Sequence, residues 1–333
     1  MNGTRLIGSD DAADRVGIIT NDDAIDMHLE HVQHHKPHLR IRLTCNPKWP
    51  EFVAALEPGQ TATDRPDLVA RVFRLNVKAL LHDIVDAKSF GDVLAYSYVI
   101  LFLKRGLPDM HLVVTLRHRP GSADAIDNIV SADIPDLQTD PEMYAKVARH
   151  MMHGPCGALA APCRGPAPCI SDDGTCTKDY PKTFVAETVA NGPDGCPIYR
   201  RRENGREVQR DDMLLDNRSV VPYNHAFLEK YDAHINVEVG VQCVKYFNEY
   251  LMKGHDRGPM AFGTNDEINQ YVDGRYISGV EASWRLFRYN IIEQQADVVE
   301  DGVVPEFGAY HDAMAVAARV GKPDMFMTLT CNP

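Results

Sequence analysis

The hydrophobic pattern predicts a sheet and several helices from residue 39 onward. Apolar and polar residues alternate over residues 39–43, a period of two that is typical of a half-buried strand. Residues 66–85 place apolar side chains at helical spacing behind a proline in the first turn, which predicts an amphipathic helix. Two apolar runs, 96–103 and 110–116, are joined through a glycine and a proline and predict a hairpin. Further helices are predicted at residues 141–152, 239–252, 266–271 and 280–287. Together these elements predict an α+β fold, with a central antiparallel sheet and helices on one face.

Changes in composition divide the chain into five segments. Residues 1–38 are polar and rich in histidine, which predicts a disordered arm, and residues 39–152 form the first sheet-and-helix part. Residues 153–198 are a loop-rich insert that holds five of the eight cysteines and is expected to project from the sheet. Residues 199–290 complete the sheet domain, and residues 291–333 are predicted to be a linker followed by a further helix and strand.

Overall composition is that of an ordinary globular protein, with 44% hydrophobic and 25% charged residues. No apolar stretch approaches the ~20 residues that cross a bilayer, and the first twenty residues carry no secretory signal. We therefore expect no membrane association and a nuclear or cytoplasmic location. In such a compartment thiols stay reduced, so the cysteines are better interpreted as packing residues or metal ligands than as disulfides.

The charge balance restricts how the protein can bind nucleic acid. There are 35 basic and 47 acidic residues, a net charge of -12, which argues against indiscriminate binding to a phosphate backbone. Any such contact must be local. One candidate is a run of five arginines within eleven residues that begins with Arg200, Arg201 and Arg202. The alternative is a solvated turn between two strands, because two glutamates are interleaved.

Asp109 and His111 are candidate metal ligands. They lie two apart on a predicted strand, so both side chains point to one face. Carboxylate oxygen with imidazole suits Mg²⁺ or Mn²⁺. Such a pair also arises often by chance, and a structural role stays open.

Tyr246 and Tyr250 are candidate nucleophiles. They lie four apart on a predicted helix, so their hydroxyls emerge on one face about one turn apart. Packing of the helix against the sheet is the alternative.

The insert offers a possible zinc site. His153, Cys156, Cys169 and Cys176 supply imidazole and thiolate ligands in a segment with little apolar content, with Cys163 in reserve. Consecutive cysteines from Cys156 to Cys176 are separated by five or six residues, wider than the tight pairs of a strong zinc signature, so packing cysteines remain the alternative. No glycine-rich phosphate loop of the G-x4-G-K-[ST] type occurs, so no helicase or ATPase motor is expected in this chain.

Seven motifs, in their order along the chain, give a more specific indication. They are 44–52 (TCNPKWPEF), 64–67 (DRPD), 104–108 (KRGLP), 153–157 (HGPCG), 220–224 (VVPYN), 234–238 (HINVE) and 245–256 (KYFNEYLMKGHD). They resemble the Helitron helicase-like, or replication-initiator, region of rolling-circle transposon proteins, over about three quarters of the chain.

The resemblance implies an HUH endonuclease with two tyrosines. Its sheet would be of that type, and a metal-bound phosphate of single-stranded DNA would be attacked by tyrosine, which leaves a 5′-phosphotyrosine link and a free 3′-hydroxyl. Tyr246 and Tyr250 match the paired tyrosines, and the second serves strand transfer. The basic residues of the matched motifs are the expected DNA contacts: Lys104, Arg105, Lys245 and Lys253.

This sequence departs from the family at the metal site. Asp109 stands where the first metal-binding histidine is expected, and Leu103, which cannot bind a metal, stands at the position of the third ligand. Glu249 replaces a lysine between the tyrosines and places negative charge near the phosphate. We therefore expect a nicking and strand-transfer domain by descent, impaired at its metal site. The alternatives are a non-catalytic DNA-binding or interaction module and a non-functional transposon remnant.

A short repeat suggests a rearranged gene fragment. Residues 43–47 (LTCNP) recur letter for letter as residues 329–333, and residues 305–333 resemble an element that precedes the first strand in the family. Only one copy can occupy that sheet position. We predict that residues 39–44 hold it, because their direct link to Lys48 minimises the entropy cost of loop closure. The helicase portion of the family is expected to be absent from this chain.

Overall fold

The computed structural model describes residues 38–102, 107–118, 120–154, 169–171, 174–192, 196–210, 213–240, 257–260, 272–275 and 277–296. Its strands, in chain order, are β1 (His38–Thr44), β2 (Val93–Phe102), β3 (Pro108–Leu116), β4 (Glu207–Arg210), β5 (Met213–Asp216), β6 (Ile235–Gly240), β7 (Arg257–Met260), β8 (Val272–Arg275) and β9 (Ile292–Ala296). Its α-helices are α1 (Pro50–Ala55), α2 (Pro66–Leu81), α3 (Ala123–Asp127), α4 (Pro141–His150), α5 (His225–Tyr231) and α6 (Gly279–Leu286). No helix in these ranges has the length and apolar content needed to span a bilayer.

The main sheet has five antiparallel strands in the order β6-β1-β3-β2-β9. The middle strand, β3, is therefore paired on both sides along its length. Two separate hairpins, β4-β5 and β7-β8, complete the strand pairing of the described residues. The architecture is the α+β class that the hydrophobic pattern predicts.

One face of this sheet forms the core with the helices. Leu39, Ile41 and Leu43 of β1 and alternate residues of β3 are fully buried there against α2 and the ring of Trp284. Helix α2 begins at Pro66, where a missing backbone N–H costs nothing, and presents Val69 and its helical neighbours to the same core. The opposite face of β1 and β3 carries the polar residues of both strands, so the alternation fixes which side chains can meet across the sheet.

Most predicted elements are confirmed with small shifts in their ends. The strand at 39–43, the hairpin and the helices near residues 66, 141 and 280 are all present. Residues 39–44 hold the sheet position next to β3, as predicted, while residues 305–333 and the predicted helix at 266–271 lie outside the described residues.

Two segment boundaries and the start of one helix differ from the prediction. The predicted linker from residue 291 begins instead with β9, an edge strand that pairs with β2. Its sequence is mostly polar and gave no strand signal, but Glu293 accepts hydrogen bonds from the hydroxyls of Tyr98 at 2.9 Å and Tyr96 at 3.2 Å. The helix predicted from Val239 begins too early, because that residue lies in β6. At the N-terminal end, β1 includes residue 38, which was predicted to close the arm.

Candidate functional site

Asp109 and His111 lie side by side on the polar face of β3. Their shared face follows from the two-residue period, as the sequence predicts. His111 Nε2 is 3.2 Å from Asp109 Oδ2, and the two side chains are almost completely buried, with relative exposures of 4% and 0%. The predicted pair is thus brought together near the start of the middle strand of the sheet.

Two residues of β1 complete the surroundings of Asp109. The antiparallel register places Arg42 opposite His111 and Thr44 opposite Asp109. Arg42 Nε donates a hydrogen bond to Asp109 Oδ2 at 2.7 Å, and Thr44 Oγ1 donates to Oδ1 at 2.9 Å. We call Arg42, Thr44, Asp109 and His111 the Asp109 network.

The Asp109 network keeps its carboxylate ionised. Burial alone raises the pKa of Asp109, but the hydrogen bond from His111 and the positive charge of Arg42 outweigh it and hold this pKa below its ordinary value. An ionised carboxylate only accepts hydrogen bonds, so Nε2 of His111 is the donor and its nitrogen carries the proton.

The carboxylate oxygens of Asp109 are fully engaged by neighbouring side chains in this arrangement. Both oxygens of Asp109 already accept hydrogen bonds, and the position of a cation is taken by the Arg42 guanidinium. A second cation on the same carboxylate would be repelled by that charge. Leu103, at the expected third ligand position, lies outside the described residues and has no ligating atom.

The same face continues as a polar row toward the sheet edge. Arg40 of β1 forms an ion pair with Glu238 of β6, which also accepts a hydrogen bond from Asn236 at 3.0 Å. His38 Nδ1 lies 3.0 Å from Thr115 Oγ1 on β3. The cationic side chains of this face are therefore neutralised by carboxylates of neighbouring strands.

The predicted arginine cluster has a largely internal role. Arg201 is 5% exposed and donates hydrogen bonds of 2.7 Å to the backbone carbonyls of both Asn217 and Val220. This placement argues against a DNA contact by Arg201. Arg200 and Arg202 are more exposed, but each forms an ion pair: Arg200 with Asp127 at 2.9 Å and Arg202 with Asp133 at 2.6 Å. The expected solvated turn is instead a set of connections between residues 127–136 and 200–206.

Three of the four predicted zinc ligands come together. The ligand atoms of His153, Cys169 and Cys176 all lie within 4.8 Å of one another, and Cys176 Sγ is 3.3 Å from His153 Nε2. Burial, with the nearby charge of Lys182, lowers the pKa of His153 to about 4, so its imidazole is neutral at neutral pH. Cys156, the fourth predicted ligand, and Cys163 lie outside the described residues.

The predicted nucleophiles and the other basic residues are not among the described residues either. These are Tyr246, Tyr250, Lys104, Arg105, Lys245 and Lys253. Their roles stay predictions. Sequence reasoning missed Arg42 and Thr44. The alternation of β1 could have indicated Arg42: because residues 39, 41 and 43 face the core, residue 42 faces the opposite, polar side, where Asp109 also lies.

Fold and site together define an α+β domain with a central antiparallel sheet and a charged network on its middle strand. In a comparison with protein families, residues 29–114 match the model of the Helitron helicase-like domain at N-terminus. This match confirms the resemblance over about a quarter of the chain, from before β1 through most of β3. No curated protein matches the chain.

Proposed function

We propose that this chain is a Helitron-derived domain that binds single-stranded DNA and is impaired in metal-dependent nicking and strand transfer. The observation that supports impaired nicking is the Arg42–Asp109 ion pair between β1 and the middle strand of the sheet. The first part is supported by the family match, which indicates a Helitron-related role and interaction with nucleic acid. A nuclear or cytoplasmic location stays a prediction.

Impairment follows from what a nicking reaction requires. Attack on a phosphodiester is helped by a cation that neutralises the non-bridging oxygens, and a metal ion usually provides it. In this chain the positive charge of Arg42 is neutralised by Asp109, so the ion pair presents no net positive charge to a phosphate. Tyrosine attack by Tyr246 or Tyr250 would therefore lack its main source of transition-state stabilisation.

DNA contacts are expected to fall on few residues. The net charge of -12 makes long-range attraction unfavourable, and the described arginines of the cluster are engaged by carbonyls and carboxylates. The expected contacts are Lys104, Arg105, Lys245 and Lys253. Each contacted phosphate of a single strand contributes about -0.7 to the slope of log binding affinity against log salt concentration. Four such contacts therefore predict a slope of about -3.

The test combines a binding assay with a nicking assay on the same labelled single-stranded oligonucleotide. Fluorescence anisotropy should show salt-dependent binding, which weakens when Lys104 and Arg105 are both changed to Gln. With Mn²⁺ or Mg²⁺ the purified protein should give little covalent adduct on a denaturing gel. Tyr246→Phe and Tyr250→Phe serve as matched controls, because they remove the nucleophiles and keep the rings.

Two results would overturn parts of this proposal. A strong adduct that disappears in either tyrosine variant would show that the metal-dependent enzyme is intact. Absence of DNA binding at low salt would favour an interaction module or a non-functional remnant over a DNA-binding domain.

A further inference from the structure

The cysteine cluster lies in a segment with little hydrophobic support of its own. Cys169 and Cys176 stand on the two sides of a short turn, which is closed by a hydrogen bond from the Thr177 N–H to the Cys169 carbonyl at 2.7 Å. Ile170 pairs with Cys176 in an isolated bridge. Among the described side chains of residues 169–177, only Cys176 belongs to the buried set. Apolar burial therefore contributes little to the position of the two thiols beside His153.

His153 is held firmly on the other side of the cluster. Its backbone N–H donates to the Ser219 carbonyl at 2.8 Å, next to the bridge between Met152 and Val220. Its ring stacks on Tyr180 with a centroid separation of 4.1 Å. The imidazole at the start of the insert is thus positioned by backbone contacts with residues 219–220, while the thiols lie in the turn of residues 169–177.

The separations are close to those of a tetrahedral zinc site. With Zn–N of about 2.0–2.1 Å and Zn–S of about 2.3 Å, tetrahedral angles require N···S of about 3.5 Å and S···S of about 3.8 Å. The Nε2···Sγ distance to Cys176 is 3.3 Å, and no pair of ligand atoms exceeds 4.8 Å. Side-chain adjustments of about 1 Å or less would bring all three atoms to zinc-binding distances.

The chemistry of the ligands selects among metals. Two thiols and an imidazole favour Zn²⁺ over Mg²⁺ or Mn²⁺, which prefer oxygen ligands. Lys178, Lys182 and Arg210 add positive charge around His153.

We propose that His153, Cys169 and Cys176 bind one zinc ion that joins the cysteine-rich insert to the sheet domain. The role is structural, because the ion would connect the turn of residues 169–177 to His153, whose backbone is bonded to residue 219. This inference does not depend on DNA binding or nicking.

The test measures metal content and local order in the full-length protein, purified with a reducing agent and without added metal. Elemental analysis should give about one zinc per chain, and Cys169→Ser and Cys176→Ser should each lower this content several-fold. Cys196→Ser is the matched control, since Cys196 is also partly exposed in the insert but is not part of the cluster, and it should keep its zinc. Replacement of zinc by Co²⁺ should give thiolate-to-cobalt absorption that Cys176→Ser weakens.

A second measurement keeps the proposal falsifiable if a variant misfolds. Removal of zinc from the wild-type protein by a chelator should expose residues 153–198 to protease while the circular dichroism of the sheet domain persists. A metal-free wild-type protein with an unchanged protease pattern would overturn the proposal. Two further results would also overturn it: zinc retained after both cysteines are replaced, and a Cys169–Cys176 disulfide in the reduced preparation.

Discussion

Replacement of Arg42 by methionine tests whether the Asp109 network is a closed ion pair. Methionine keeps much of the aliphatic length and removes the guanidinium, so Asp109, at 0% exposure, loses one of its partners. Removal of one partner from a buried pair costs ~3–5 kcal/mol. Because the Arg42 side chain is 33% exposed, water can replace part of the lost interaction, and we expect a loss of about 2–3 kcal/mol.

The assay is urea denaturation followed by tryptophan fluorescence. Trp49 and Trp284, the two tryptophans of the chain, are both buried in the core and report its unfolding. The control is Arg65→Met, which breaks an ion pair with Asp67 whose side chains are 40% and 36% exposed. That substitution should cost clearly less than Arg42→Met, because water already screens both charges.

A double-mutant cycle identifies the source of the loss. If Arg42 stabilises the fold through the charge of Asp109, then Asp109→Asn should make Arg42→Met less harmful, with a coupling energy of about 1–3 kcal/mol. A loss in Arg42→Met no greater than that in Arg65→Met, or a coupling energy near zero, would refute the reasoning. Arg42 would then be a surface residue that contributes little to the stability of the fold.

Two further predictions concern the rest of the fold. Arg201→Met should lower the free energy of unfolding by about 3 kcal/mol, because the carbonyls of Asn217 and Val220 lose their donor. Arg202→Met, at a 48% exposed ion pair, should cost about 1 kcal/mol or less in the same denaturation assay, and equal losses would contradict the internal role of Arg201. Deletion of residues 305–333 should change the melting temperature by only about 5 °C or less in calorimetry, because β1 already fills the sheet position. An aggregated, unfolded product would show that the second copy of the repeat is required.

The sequence predicted those parts of the fold whose physics is local. The alternation at residues 39–43 and the proline at the start of α2 determine a strand and a helix from neighbouring residues alone. β9 was missed because its polar residues are stabilised by hydroxyls of β2, which are distant in sequence. A strand of this kind has no local signal.

The candidate sites show the same division. The shared face of Asp109 and His111 follows from a period of two, but Arg42 reached Asp109 through a strand register that no local pattern fixes. Arg201 carried the charge expected of a DNA contact, and only the packing of residues 217–220 around it revealed its internal partners. The cysteines were recognised by residue type, while their proximity to His153 depends on the fold.

The most direct test of the central claim is calorimetric titration of the zinc-loaded protein with Mn²⁺. The wild-type protein should bind no more Mn²⁺ than Asp109→Asn does, because the guanidinium of Arg42 occupies the cation position. Combining Leu103→Gln with Asp109→His should raise the affinity by about tenfold or more, and adding Arg42→Met should raise it further. Saturable Mn²⁺ binding by the wild-type protein that disappears in Asp109→Asn would contradict the account, as would restored ligands that bring no gain.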